Sequence, residues 1–201
     1  DRSALTMAPM ELDPAHLFNQ ALDAIEDNDP ERARRHLRAV MLNDLGDSEA
    51  LLVWARLERD AGQDVRAQEL LAGHLEHARD LQPVLVELGD VRLTLGNPAG
   101  AAEVLKYALT LRPNHWESLL LLGNCFLDVG ADQEAARAYE LGLASNPFSA
   151  DLWYNLATAR DQVGDTDGAR EAWTSWLGCA DTDAPERGEV QARLAGSDRG
   201  G

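Results

Sequence analysis

The sequence predicts an all-α fold, a solenoid of stacked helical hairpins, and three observations lead to that fold class. The 201-residue chain aligns on a period of 34 residues, in segments that begin at positions 14, 48, 82, 116 and 150 and follow without a gap. Small and large apolar residues recur at fixed positions of each segment, and no segment has a convincing strand pattern. Such a period is typical of repeat architectures, in which each unit buries its apolar face against its neighbours.

Two close-packed helices are predicted in each segment. The eighth position is always small: Ala21, Ala55, Gly89, Gly123 and Ala157. The twentieth is always alanine: Ala33, Ala67, Ala101, Ala135 and Ala169. The fourth is always large and apolar: Leu17, Leu51, Leu85, Leu119 and Trp153. Small residues let two helices approach each other, while large ones fill the space between neighbouring pairs.

The helix ends are marked by residues with a known conformational preference. The fifteenth position holds Asn28, Gly62, Gly96, Gly130 and Gly164, which suit a left-handed cap at the end of the first helix. A capping residue followed by proline predicts the start of a helix. Such pairs stand at Asp29-Pro30 and Asn97-Pro98 for second helices, and at Asp13-Pro14 and Gln82-Pro83 for first helices.

The repeated residues resemble the tetratricopeptide repeat (TPR) family. Leucine–glycine pairs, two aromatic residues and two late prolines match its pattern: Leu88-Gly89, Leu122-Gly123, Phe126, Tyr139, Pro113 and Pro147. The resemblance covers residues 14–183 and implies five repeats (14–47, 48–81, 82–115, 116–149 and 150–183). We expect an N-terminal arm over 1–13, a C-terminal capping helix over 184–195 and a disordered tail over 196–201.

Composition excludes several classes of function. The net charge of −17 argues against nucleic acid and anionic membrane surfaces as partners. No apolar run approaches the ~20 residues of a membrane span, so direct membrane insertion is not expected. Two cysteines give no disulfide framework. We expect a cytoplasmic or periplasmic soluble domain of bacterial type, either alone or as part of a larger or tethered protein.

Catalytic motifs are not found, and we predict that the protein is not an enzyme and holds no cofactor or metal. A metal-dependent enzyme is a remote alternative, which rests on His74 and His77, three residues apart on a predicted helix. The acidic pairs Asp27/Asp29 and Asp165/Asp167 read as helix caps. Cys125 is expected to be buried and inert, and Trp116 and Trp176 are the tryptophans expected to be exposed.

The resemblance implies that the first helices of the repeats line a concave groove. The residues expected to bind a partner there are Phe18, Leu22, Leu52, Val53, Arg56, Val86, Glu87, Asp90, Leu120, Leu121, Asn124, Tyr154 and Asn155. An apolar stripe runs along this set, surrounded by many carboxylates and few arginines. The lysines with which some family members grip a C-terminal carboxylate are absent, so that function is not expected. Within Leu119–Leu122, we expect Leu119 and Leu122 in the core and Leu120 and Leu121 in the groove.

These observations predict a non-catalytic protein–protein interaction module, an adaptor or assembly factor. Its partner would be a protein or peptide with an apolar or amphipathic segment and basic flanks, held in the groove. The alternative is a scaffold that associates with itself as a homo-oligomer. Whether the N-terminal arm, with Met7 and Met10, occupies the groove stays open at this point.

Overall fold

The computed structural model describes residues 13–197, with side chains to residue 195. These residues form eleven α-helices and no strand. The helices are α1 (Pro14–Glu26), α2 (Pro30–Asn43), α3 (Ser48–Asp60), α4 (Asp64–Gly73), α5 (Leu81–Thr94), α6 (Pro98–Leu111), α7 (Trp116–Asp128), α8 (Asp132–Ser145), α9 (Ala150–Gln162), α10 (Thr166–Cys179) and α11 (Arg187–Ser197). The all-α prediction is confirmed. The predicted arm and tail fall almost entirely outside the described residues.

The chain divides into two compact units, Asp1–Val84 (unit 1) and Leu85–Gly201 (unit 2). In unit 1, α1 packs against α2 and α3 against α4, as the predicted hairpins require. In unit 2, α7 packs against α8 and α9 against α10, and α8 also contacts α9. The last helix, α11, packs on α10. No helix within residues 13–197 combines the length and apolarity needed to span a membrane.

The predicted left-handed caps are confirmed at all five positions. The φ angles there are positive, at 55° for Asn28 and between 71° and 80° for Gly62, Gly96, Gly130 and Gly164. The residue after each one donates its backbone N–H to a carbonyl five positions earlier, for example Ala131 to Phe126 at 2.8 Å and Asp165 to Arg160 at 2.9 Å. This bond satisfies a carbonyl that the helix end leaves free and turns the chain into the second helix.

Four of the predicted N-caps are confirmed, whereas Asp27 follows the end of α1 and Asp167 lies inside the first turn of α10. The carboxylates of Asp29 and Asp165 accept from the backbone N–H groups of Arg32 and Gly168, so both are caps as predicted. Asp13 and Asn97 cap the proline-led helices α1 and α6 in the same way. Gln82 is not a cap, because α5 begins one residue before it, at Leu81.

Small residues face large ones inside the hairpins of unit 2, as the repeat pattern predicts. A Cβ atom added to Gly89 would lie 2.7 Å from the Leu105 side chain, and one added to Gly123 would overlap the Tyr139 ring. Tyr139 and Leu105 are fully buried. The glycines therefore set the distance between the paired helices.

Three local expectations are wrong. Helix α4 ends at Gly73, so His74 is its C-cap and His77 lies in the following turn rather than on a helix. The terminal helix spans Arg187–Ser197 rather than 184–195, although Val190 is buried as its register predicts. Trp176 is only 4% exposed, because it packs against Trp173 and Tyr154.

Candidate functional site

Two adjoining cavities in unit 2 form the candidate site, which we call the unit 2 groove. The larger one, of about 670 Å³, is lined from α7, α9, the end of α10 and the connection 180–186. The smaller one, of about 360 Å³, is lined from α5, α7 and α9. Asn124 and Asn155 line both cavities, so the groove runs without interruption past these two amides.

An apolar and aromatic surface forms part of the larger cavity. Leu120 is half-buried and packs against the core of unit 2, and the Tyr154 side chain is 36% exposed. The Tyr154 ring meets Trp173 edge to face, with ring centroids 5.0 Å apart and planes at 85°. It also meets Trp176 at 5.8 Å. Because the two tryptophans are buried, Tyr154 is held in place and presents a rigid contact surface.

The two asparagines are fixed by a buried tyrosine. The Tyr139 hydroxyl donates to Asn124 Oδ1 at 2.8 Å, and Asn155 Nδ2 donates to the same oxygen at 3.4 Å. Burial, with a smaller effect of the Asp128 charge, raises the pKa of Tyr139 well above its ordinary value, so the hydroxyl stays a donor. The Asn124 amide nitrogen and the Asn155 carbonyl oxygen have no hydrogen bond to other described residues. Each side chain can therefore bind the backbone of an extended segment.

Negative charge surrounds the larger cavity. Four of its lining residues are acidic and exposed: Asp151, Asp181, Asp183 and Glu186. No lysine, arginine or histidine is among the residues that line it. The cavity therefore favours a cationic ligand group over an anionic one.

Helix α11 holds the connection 180–186 in position. Arg187 donates from its guanidinium to the Ala180 carbonyl at 3.3 Å. Arg193 pairs with the Asp161 carboxylate at 2.7 Å, and its guanidinium lies 5.4 Å from the centre of the Trp173 ring. The Trp173 indole donates to the same carboxylate at 2.9 Å. These contacts link the wall of the groove to the core of unit 2.

The structure brings together five of the thirteen residues predicted to bind a partner. Asp90, Leu120, Asn124, Tyr154 and Asn155 line the unit 2 groove. Three others, also in unit 2, are half-buried but line neither cavity: Val86, Glu87 and Leu121. The remaining five belong to unit 1: Phe18, Leu22, Leu52, Val53 and Arg56.

Of the five unit 1 residues, Arg56 lines a small cavity. This cavity, of about 250 Å³, is also lined by Arg59, Asp60 and Asp64, all of them charged. Phe18, Leu52 and Val53 are half-buried, and Leu22 is 36% exposed. Their part in binding stays a prediction.

The leucine run divides by burial as expected. Leu119 and Leu122 are 4% and 7% exposed, whereas Leu120 and Leu121 are half-buried. Leu120 reaches the groove. Leu121 packs instead beside the cluster that contains Ala101 and Leu105.

Sequence reasoning missed the wall formed by Trp176 and the connection 180–186. It considered only the first helix of each repeat. This wall is formed by the second helix of the last repeat and by the connection that follows it. One signal was present: Asp181 stands where the repeat pattern has proline, and two more acidic residues, Asp183 and Glu186, follow within five positions.

A metal-binding or nucleophilic centre has little support among the described residues. No group of three or more His, Cys, Asp or Glu side chains converges there. The His74 ring bonds through Nδ1 to the Leu70 carbonyl at 2.7 Å, an ordinary contact at a helix end. Cys125 is buried, and burial raises the pKa of its thiol to about 11, so it is almost wholly protonated at neutral pH.

Comparison with known proteins agrees with the repeat pattern. Residues 86–144 and 133–184 match the sequence profile of a family described as tetratricopeptide repeat. No curated protein matches the chain in sequence.

Many solved structures share the fold. PilF of Pseudomonas aeruginosa superposes with a TM-score of 0.78 at 18% identity, over 92% of this chain and 84% of PilF. MamA of Desulfovibrio magneticus RS-1, from its residue 41 to the end, gives 0.73 at 19% identity, over 84% of this chain and 96% of that one. YrrB, described as a TPR protein with an unusual peptide-binding site, gives 0.70 at 19% identity, over 91% and 92% of the two chains. At these identities the likeness shows the fold alone.

Proposed function

The chain belongs to the tetratricopeptide repeat family, and from that premise we propose that its unit 2 groove binds a segment of a partner protein. The fold is that of a protein–protein interaction module. The finer proposal is an adaptor or assembly factor that holds an extended or helical segment with apolar anchors. YrrB, which shares the fold, has a peptide-binding site.

The observation that carries the proposal is the combination of apolar and amide groups along one groove. Leu120 and Tyr154 offer partly exposed apolar surface beside the two asparagines. An apolar anchor that covers such surface contributes about 1.5–3 kcal/mol when it is fully buried, so two or three anchors offset the cost of ordering a short segment. The asparagine amides would bind the backbone of the segment and so fix its direction.

Selection of binding peptides tests this proposal. A library of random short peptides is selected on the wild-type protein, and the affinity of each selected peptide is then measured by fluorescence anisotropy. Leu120→Glu places a charge in the apolar part of the groove. We expect it to weaken binding at least about tenfold, which corresponds to the loss of about 1.4 kcal/mol from one anchor.

Leu141→Glu is the matched control. Leu141 lies on α8, is 60% exposed and does not line the groove, so the same change there should leave the affinity unaltered. Circular dichroism checks the helicity of both variants. If Leu120→Glu unfolds unit 2, Asn155→Ala takes its place, because this side chain is half-exposed. The proposal would be wrong if no peptide were enriched from the library, or if the groove variant and the control variant bound the selected peptides with equal affinity.

A further inference from the structure

The four carboxylates around the larger cavity are available to a ligand. Among the side chains that the structure describes, to residue 195, no ion pair or hydrogen bond involves the carboxylates of Asp151, Asp181, Asp183 and Glu186. Some other exposed carboxylates of unit 2 do have basic partners, such as Glu140 with Arg160 at 2.8 Å. Among the described residues, the lining of this cavity thus contains four carboxylates and no basic side chain.

The same cavity has surface that suits an amphipathic side chain. Tyr154 lies against its apolar part, together with Leu120, Ala150 and Ala184. Long basic side chains place their methylene stems on apolar surface and keep the charged end in a polar setting. A guanidinium, moreover, stacks on aromatic rings and binds carboxylates in a planar fork, which an ammonium cannot do.

We infer that the larger cavity of the unit 2 groove selects an arginine side chain of the partner segment. Its stem lies against Tyr154 and Leu120, and its guanidinium reaches the carboxylates of the connection 180–186. The inference rests on the proposed function, since it names the residue type that the peptide supplies at this point. An acidic segment or a C-terminal carboxylate is disfavoured at the same place by charge repulsion.

Charge and shape are separated by replacing arginine with citrulline, which has nearly the same shape but no charge. In a peptide selected on the wild-type protein, each arginine is replaced in turn by citrulline, and the affinity of each new peptide is measured. At one position the replacement should weaken binding about tenfold at low salt, because an exposed cation gains both from carboxylates and from an aromatic ring. The difference should shrink as salt is added, because ions screen exposed charges.

Two sets of protein variants locate the effect. The groove set is one variant with the three substitutions Asp181→Asn, Asp183→Asn and Glu186→Gln, which remove three carboxylate charges from the larger cavity. The control set is one variant with Glu103→Gln, Glu134→Gln and Glu171→Gln. These three residues are exposed in unit 2 but line neither cavity of the groove. Both sets change the net charge by the same amount. We expect the groove set alone to abolish the difference between arginine and citrulline, while the citrulline peptide keeps its affinity for all three proteins.

The outcomes distinguish this inference from the proposed function. If selected peptides bind in a manner sensitive to Leu120→Glu, yet arginine and citrulline peptides bind equally, the arginine site is wrong and the groove stands. Equal loss in the control set would show a general effect of net charge, and it too would overturn the inference. If no peptide is selected, the proposed function itself fails.

Discussion

At the scale of single residues, Glu58 is a buried carboxylate that is surrounded by hydrogen-bond donors. The residue is fully buried in unit 1. Arg34 donates to its two oxygens at 3.0 and 3.2 Å, and the Trp54 indole donates at 2.8 Å. Burial alone raises the pKa of Glu58, but the hydrogen bonds from Arg34 and Trp54 outweigh it, so the pKa lies below its ordinary value of 4.5. The ionised form is the one that the fold stabilises.

Replacement of Glu58 by Gln should therefore destabilise unit 1. The variant leaves the Arg34 guanidinium, 16% exposed, without its main partner. Removal of one partner from a buried pair costs roughly 3–5 kcal/mol, and the partial exposure of Arg34 favours the lower end. Urea unfolding measures the change. Glu69→Gln, an exposed carboxylate on α4 with no ion pair among the described residues, should change the stability by less than about 0.5 kcal/mol.

The pH dependence of this effect has a definite sign. Since the pKa of Glu58 is lower in the folded protein than in the unfolded chain, its contribution is present above about pH 4.5 and is lost as the pH falls through the folded value. The difference in stability between wild type and Glu58→Gln should therefore be constant near neutral pH and should narrow in acid. A difference that widens in acid would contradict the assignment.

At the scale of helices, the sequence predicts the hairpins well because their packing is local and periodic. The small residues at the eighth position and the left-handed caps at the fifteenth can be identified without a structure, and both are confirmed. The premature end of α4 could not be predicted from the period. It follows from Gly73 and the turn after it, which replace the last part of the helix.

Interactions between helices through long polar side chains were not predictable either. Arg92 and Arg160 occupy equivalent repeat positions, and each donates to the carbonyl of the equivalent glycine on the next helix, Gly100 at 2.8 Å and Gly168 at 2.9 Å. In the second repeat the same position holds Glu58. The residue type at this position varies between repeats, so the sequence does not show that its side chain joins neighbouring helices; the structure does. The wall at 180–186 was missed for a related reason, because it belongs to an irregular connection.

Gly123→Ala tests the close approach of α7 and α8. The added methyl group would overlap the buried Tyr139 ring, which cannot move without disturbing its hydrogen bond to Asn124. Overpacking of this kind typically costs about 1–3 kcal/mol, which should exceed the gain from the better helix propensity of alanine. Thermal or urea unfolding measures the result. Gly178→Ala on α10 is the control: its added methyl meets no atom within 4 Å, so the variant should be as stable as wild type or more so. Similar effects at the two sites would argue against close packing at Gly123.

At the scale of the whole molecule, the excess of acidic over basic residues is the dominant property. The chain has 35 acidic and 18 basic residues, which gives the net charge of −17. This excess disfavours polyanions as partners, and the larger cavity of the unit 2 groove is lined by four acidic residues and, among the described residues, by no lysine, arginine or histidine. The global charge and the local site thus favour the same kind of partner, one with positive charge.

The same excess should make folding stability depend on salt. At neutral pH the like charges repel one another across the folded protein, and this repulsion is greater in the folded state than in the expanded unfolded chain. Salt shortens the screening distance from about 30 Å at 0.01 M to about 8 Å at 0.15 M, so we expect the melting temperature at pH 7 to rise by several degrees over that range. Near pH 4.5, the isoelectric point, the net charge vanishes and the rise should disappear. Circular dichroism on dilute protein measures both. A melting temperature that falls with salt at pH 7 would mean that favourable ion pairs outweigh the repulsion, and it would overturn this account of the charge.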